Sequence, residues 1–297
     1  ELLDVIAPKG ECNLVHEVSQ QLPIFTLSEI LGIPESDRQK LVSWMEFLEL
    51  AQYFTYEMIK EQNEGKTDST PDPAMIDMFN AMVDEMFEYG RFILKEKRKN
   101  PANDLLSAIA NAEINGEKLS DEFLDGSWLL IIFAGNDTTR NTMSGGIKLL
   151  HENQKQKEML IDNLELLPNF INETVRCVSP VIHMRRTSLE ETEINGQKIG
   201  PYEKIALWYG AANRDPDVFE DPDKFNILRD NADKHLAFGI GRHTCIGKPV
   251  ALMQLREFYL QFLTRFQDFE MNGDWKVAPN NFVHAIQEMP IKFSPSK

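Results

Sequence analysis

The sequence predicts a mainly α-helical fold with small β-sheets, and three observations lead there. Apolar residues recur at three- and four-residue spacing over most of the chain before Pro180. After Pro180 the period shortens, and Asn195-Gly196 falls between short strand-like runs, the composition of a tight hairpin turn. Late in the chain, "KPVALMQLREFYLQF" returns to helical spacing, with Pro249 in a first turn where its missing N–H is not needed. At 297 residues, 42% of them hydrophobic, the chain can bury a sizeable core as one large domain or two ordinary ones.

The elements follow in order. Pro23 to Lys60 reads as helix, interrupted at "GIPESD" by a helix end, a short turn and a new start. Glu61–Ala74, "EQNEGKTDSTPDPA", is polar and rich in turn formers, so an exposed loop is expected. A second amphipathic helix runs from about Met75 to Lys99 and is stopped by Pro101. Leu119–Asn153 predicts one long helix, with Ser120 as N-cap ahead of Asp121 and Glu122. Its middle, Trp128 to Ala134, is apolar on all sides and predicts burial all round. Into that run fall Gly135, Asn136, Asp137, Thr138 and Thr139. "LELLPNFINETVRCVSP" is a further helix, and Asn213–Asp233, full of Asp and Pro, reads as ordered coil. A last helix is expected over Lys248–Phe266 and one or two closing strands in "NNFVHAIQEMPIKF". No repeat or linker divides the chain, so residues 1–297 read as a single domain.

Composition removes whole classes of function. A net charge of -16 disfavours nucleic acid or an anionic membrane as partner, since a phosphate-binding surface needs clustered Lys and Arg. Three scattered cysteines, Cys12, Cys177 and Cys245, make no disulfide framework and fit a reducing compartment, with the cytoplasm as default. No apolar run approaches the roughly 18–20 residues of a membrane span. The start, "ELLDVIAPKG", has neither a Met nor a signal-peptide pattern, so the chain is expected to begin inside a longer gene product.

The chemistry concentrates in "HLAFGIGRHTCIGKPVA", His235–Ala251. A lone cysteine is more often a small buried hydrophobe than a ligand. Here Phe238, Gly241, His243, Cys245 and Gly247 form F-x-x-G-x-H-x-C-x-G, and Gly239 adds a third glycine. Such glycines let backbone approach a flat ligand, and a helix starting just after the cysteine favours thiolate over thiol. A thiolate so held suits haem iron as its fifth ligand. Separately, "AGNDTTRN" places Gly135 and an acid-alcohol pair, Asp137-Thr138, in the most apolar helix, where each polar group needs a partner. Together these residues suggest an opening where a ligand lies over the helix. "ETVR", Glu173–Arg176, is an i, i+3 pair that would be unremarked on any surface helix. His183 and His235 lack the short-spaced second ligand of a zinc site and read as ordinary hydrogen-bonded histidines.

In these motifs and their order, from about Pro23 to the end, the chain closely resembles the cytochrome P450 family. The resemblance implies the P450 fold, N-terminally truncated, with residues 1–297 forming one haem domain that lacks its N-terminal portion. It implies haem b ligated by Cys245 and O2 as co-substrate. Thr138 and Asp137 would be the catalytic pair handling dioxygen and protons, over a groove opened by Ala134 and Gly135. His243 and Arg186 match the positions that hold the haem carboxylates, although many members carry Arg where His243 stands. Phe238, Gly239, Gly241 and Gly247 would shape the cofactor loop. Glu173 and Arg176 match the E-x-x-R pair, which is structural and takes a further arginine; Arg229 fits best and Arg214 is the rival.

"GNDTTRNTMSGG", "HMRRT", "LWYGAANRD" and "NNFVHAI" are most similar to bacterial members that hydroxylate terminal methyl groups of alkanes and fatty acids, methyl-branched lipids and sterol side chains. The resemblance therefore implies a monooxygenase acting on a C–H bond of an apolar alkane, fatty acid, terpenoid or sterol side chain. Ile131, Ala134, Val181, Ile182, Phe282 and Val283 are the expected pocket lining, although apolar residues there are more often plain core. Electrons would come from a ferredoxin and its NAD(P)H-dependent reductase, with Arg242, Lys248 and Arg256 offering a local basic patch. Two rivals are a peroxide-driven haem-thiolate enzyme, which commonly lacks the groove threonine, and a non-catalytic haem-binding protein, which has no use for Asp137-Thr138.

Overall fold

The structure, a computed structural model, describes residues 1–65 and 73–295, without the side chains of 48–59 and Gln62. Residues 66–72 of the expected Glu61–Ala74 loop lie outside the described residues. The chain forms two compact units, Gln20–Asp137 and Glu1–Ser19 with Thr138–Lys297.

The chain opens with α1 (Leu2–Ile6) and β1 (Glu11–Asn13), followed by a π-helical turn, Val15–Ser19. The contiguous unit then holds α2 (Gln21–Leu31), α3 (Arg38–Asn63), α4 (Pro73–Lys99), α5 (Leu105–Ala110), the hairpin β2 (Glu113–Ile114) and β3 (Glu117–Lys118), and α6 (Asp121–Ala134). The expected break at "GIPESD" is a left-handed cap: Gly32, at φ +66°, ends α2, and the Ile33 N–H returns to Ser28 O at 2.9 Å. Ser120 caps α6 as expected, its Oγ accepting the Phe123 N–H at 3.2 Å. Trp44, Tyr89 and Trp128 form the aromatic heart, with centroids 5.4 to 6.4 Å apart. Gly90 makes room for the indole, since a Cβ there would fall 2.5 Å from Trp128 Cδ1.

The second unit continues with α7 (Asp137–Glu152), α8 (Gln154–Asp162), α9 (Leu167–Val178), β4 (His183–Thr187), β5 (Thr192–Ile194), β6 (Gln197–Ile199), β7 (Lys204–Trp208) and α10 (Tyr209–Ala212). After the expected coil come α11 (Lys248–Arg265), β8 (Glu270–Met271), β9 (Lys276–Val277), β10 (Ile286–Glu288) and β11 (Pro290–Lys292). All sheets are small and antiparallel: β1-β11-β8, β4-β7, β5-β6 and β9-β10. Asn195 and Gly196, at φ +49° and +80°, turn β5 into β6 as the sequence predicts. The core packs α7 against α9 and α11. A Cβ on Gly146 would lie 2.1 Å from Tyr259 Oη, which donates to Thr142 O at 2.7 Å, and one on Gly145 would lie 2.6 Å from Val178 Cγ2.

Two expectations need correction. The long helix over Leu119–Asn153 is two helices, because α6 ends at Ala134 and α7 starts at Asp137. The apolar run before the break is not buried all round. Burial follows a stripe at four-residue spacing, Leu124, Trp128 and Ile132, whereas Leu130 is 66% exposed. Among the described residues no helix is long and apolar enough to cross a membrane.

Candidate functional site

The three thiols occupy different environments. Cys12 is buried on β1 and Cys177 largely so on α9, and burial pushes both up to about 12. Cys245 alone is exposed. Its loop is set by few bonds. The Cys245 N–H donates to Phe238 O at 2.8 Å, Gly239 N–H to Leu236 O at 2.8 Å, and Thr244 N–H to Gly241 O at 3.1 Å. Gly239 and Gly241 adopt φ of +71° and +69°, where a side chain is strained, and a Cβ on Gly239 would meet His243 O at 3.1 Å. Gly247 is the N-cap residue of α11, so Cys245 lies three residues before the first residue of that helix. Phe238 packs against His235, ring centroids 5.6 Å apart, and carries Lys248 Nζ 5.4 Å above its face. Burial, then the nearby Lys248 charge, push His235 down to about 4, so its ring is neutral and Nδ1 accepts the Ala237 N–H at 3.3 Å.

Behind the loop is a buried charge cluster. Glu173 and Arg176 pair on α9, Nε to Oε2 at 2.7 Å and Nη2 to Oε1 at 2.8 Å, with both side chains fully buried. Arg229 Nε lies 3.1 Å from both Glu173 oxygens. Arg214, the rival, instead donates to Cys177 O at 2.8 Å and pairs with Asp223 at the surface. The guanidiniums also grip the coil: Arg176 reaches the carbonyls of Asn213, Pro222 and Lys224, and Arg229 those of Glu220, Asp221 and Lys224. This satisfaction of donors is what makes buried charge tolerable.

Elsewhere the structure joins the residues after α9 to those in the tail. Val181 bridges Val283, Ile182 N–H donates to Phe282 O at 2.8 Å, and His284 N–H donates to Pro180 O at 2.8 Å. Four of the six expected lining residues are thus neighbours. Ile131, half-buried, and Ala134, exposed, lie at the end of α6. Gly135 and Asn136 form the break, and Asn136 Oδ1 is buried without a protein partner. Asp137 is buried at the start of α7, and Thr138 O accepts the Thr142 hydroxyl at 2.7 Å. Arg186 sits on β4, half-buried, its Nη1 on Arg185 O at 2.9 Å. The described residues contain no cluster of His, Cys, Asp and Glu suited to a metal ion.

The donor set fits an iron porphyrin. A soft thiol stands beside Ile246, 94% exposed, and Ile240, 73% exposed, and a Cβ on Gly241 would touch nothing within 4 Å. Apolar exposure around a thiol suits a flat apolar disc, and the hydrogen-bond donors Arg186 and His243, with no carboxylate on either among the described ion pairs, suit its acid edge.

Sequence reasoning passed over Asn213, a fully buried residue with its amide oxygen on Leu236 N–H, because Asn before "RDP" reads as a turn former.

Known proteins show the family of the chain. The family profile described as Cytochrome P450 matches residues 67–293. The chain is 33% identical over 297 residues to a steroid C26-monooxygenase of Mycolicibacterium smegmatis, covering 99% of this chain and 70% of that protein. It is 34% identical over 295 residues to linalool 8-monooxygenase of Pseudomonas putida, covering 99% and 68%. Its fold superposes on the crystal structure of P450BioI in complex with hexadec-9Z-enoic acid ligated acyl carrier protein at a TM-score of 0.84, with 27% identity, 98% of this chain and 71% of that one. The chain belongs to the cytochrome P450 family, and its enzymatic class is the monooxygenase class of that family.

Proposed function

We propose that residues 1–297 act as one haem domain that hydroxylates a C–H bond of an apolar substrate, with Cys245 as the iron ligand. The observation that carries this is the exposed thiol in its glycine-framed loop, whereas Cys12 is buried and Cys177 half-buried, with both thiols pushed up to about 12. When bound, haem supplies the activation of O2 that inserts oxygen into the C–H bond. The protein's part is to hold, orient and protect. Cys245 donates its thiolate, helped by the positive end of α11. Gly239, Gly241 and Gly247 keep side chains off the disc, and Phe238 fills the space beside it. His243 and Arg186 donate to the haem carboxylates. Asp137 holds and passes protons at its carboxylate, and Thr138 positions them through its hydroxyl. Ala134 and Gly135 leave room at the groove.

Val181, Ile182, Phe282 and Val283, neighbours in the structure, exclude water from the apolar substrate. The relatives named for steroid, linalool and fatty acyl chemistry support a terminal methyl of a sterol side chain, terpenoid or fatty acid as the target. A ferredoxin with its NAD(P)H-dependent reductase would deliver electrons in the cytoplasm, approaching Arg242 and Lys248; Arg256 is already paired with Glu257.

The deciding experiment is the spectrum of the haem-loaded protein, reduced under carbon monoxide. A strongly red-shifted Soret band that disappears in Cys245→Ser is expected. An unshifted band in the unsubstituted protein would sink thiolate ligation by Cys245. Thr138→Ala should then keep the band and divert electrons from product; full coupling would remove Thr138 from proton handling.

A further inference from the structure

We infer that Asn213 is a positioning residue that ties the cysteine loop to the buried Glu173–Arg176–Arg229 cluster. The inference rests on the reading of Cys245 as haem ligand for its consequence, and on hydrogen bonds alone for its geometry.

Asn213 follows α10 and is fully buried. Every polar atom it has is engaged. Its N–H donates to Tyr209 O at 2.8 Å, and its carbonyl accepts Arg176 Nη1 at 2.8 Å. Its Nδ2 donates to Ser179 Oγ at 2.8 Å, and Ser179 Oγ donates back to Arg176 O at 2.8 Å. Its Oδ1 accepts the Leu236 N–H at 2.6 Å. One of these bonds holds Asn213 to the arginine of the cluster directly, a second does so through Ser179, and one reaches the stretch that leads to the thiol. From Leu236 the path is short: Leu236 O accepts Gly239 N–H, and Phe238 O accepts Cys245 N–H, both at 2.8 Å. Among the hydrogen bonds described, Leu236 N–H is the point where the loop is fastened to the cluster.

Only a side chain with both an acceptor and a donor at this reach serves Leu236 and Ser179 together. Aspartate keeps the acceptor, alanine keeps neither, and Ser179→Ala removes the donor's partner together with that hydroxyl's bond to Arg176 O, leaving the acceptor on Leu236 in place. These three variants therefore separate the bond to the loop from the bond to the helix end. A purely structural role for Asn213 would lower stability in all of them without sorting them in this order.

Two readouts are needed. The first is amide hydrogen exchange at Leu236, Gly239 and Cys245 in the full chain, which does not require haem. Asn213→Ala should speed exchange at these amides by about tenfold, the loss of one buried hydrogen bond. Asn213→Asp should restore most of the protection, and Ser179→Ala should leave it unchanged. The second is the reduced carbon monoxide spectrum of the haem-loaded protein. Asn213→Ala should convert at least half of the red-shifted band to the unshifted one, with Asn213→Asp and Ser179→Ala close to the unsubstituted protein.

Unchanged exchange in Asn213→Ala, or equal acceleration in Ser179→Ala, would overturn the proposal. If Asn213→Ala fails to load haem, its exchange in the haem-free full chain, set against that of Asn213→Asp, still decides it. If the unsubstituted protein itself gives no red-shifted band, the haem-thiolate reading fails, while the exchange result continues to judge Asn213 on its own.

Discussion

The Glu173–Arg176–Arg229 cluster and the Cys245 loop belong to the same unit and are built in opposite ways. The cluster is charged, dry and saturated with hydrogen bonds, each guanidinium reaching several coil carbonyls. The loop is exposed, rich in glycine and held by a handful of backbone bonds. Desolvated charge is costly unless its geometry is complete, so a cluster like this has essentially one arrangement. Glycines at positive φ impose little by themselves. The contrast teaches that hydrogen-bonded rigidity here is located in the charged cluster, while the loop that carries the exposed thiol stays open.

That contrast can be broken at several depths. Glu173→Gln would leave Arg176 and Arg229 buried without their shared carboxylate, and should cost about 3–5 kcal/mol in denaturant unfolding. A loss within about 0.5 kcal/mol would mean that the carbonyls alone hold the guanidiniums. Next comes His235, at the foot of the loop. The unfolded chain takes a proton near pH 6.5, whereas the folded ring resists it down to about 4. Its contribution is therefore complete above pH 6.5, declines as pH falls toward 4, and is level below that, to a total of about 3 kcal/mol. His235→Phe should flatten this part of the stability profile; an unchanged slope would assign it to carboxylates.

A smaller effect is expected at an uncharged joint. Gly146→Ala places a methyl against Tyr259 Oη and should cost about 1–3 kcal/mol, recovered in part by adding Tyr259→Phe. Simple additivity of the two would show that the joint yields elsewhere. Least of all, Ile246→Ser in the open loop should change stability by under about 0.5 kcal/mol while lowering haem retention, measured by titration of the protein with haem. Equal losses in both measurements would mean that the loop is part of the core.

Much of the fold was legible because it is written locally. Helix caps such as Ser120 and Gly32, the Asn195-Gly196 turn and the proline stops all act within a few residues. The thiol loop was legible for a similar reason, since its glycines and cysteine are contiguous in the chain. The break between α6 and α7 was not, because apolar residues continue at helical spacing up to Ala134 and the interruption is only Gly135 and Asn136. The exposure of Leu130 was hidden too, since a run that is apolar all round does not say which stripe is packed. Nor could spacing reveal that β1 pairs with β11, or that Asn213 Oδ1 meets Leu236, for both depend on distant backbone.

The pairing of β1 with β11 also orders events in time. Glu11 lies opposite Lys292 and Cys12 opposite Ile291, so β1 waits for β11, made far later, before its sheet can form. Gln20–Asp137, by contrast, is one uninterrupted stretch that carries its own aromatic heart. A ribosome making this chain releases the inner unit whole, with its apolar stripe free to collapse, well before the outer one can close. Until β11 has emerged, β1 is an unpaired edge.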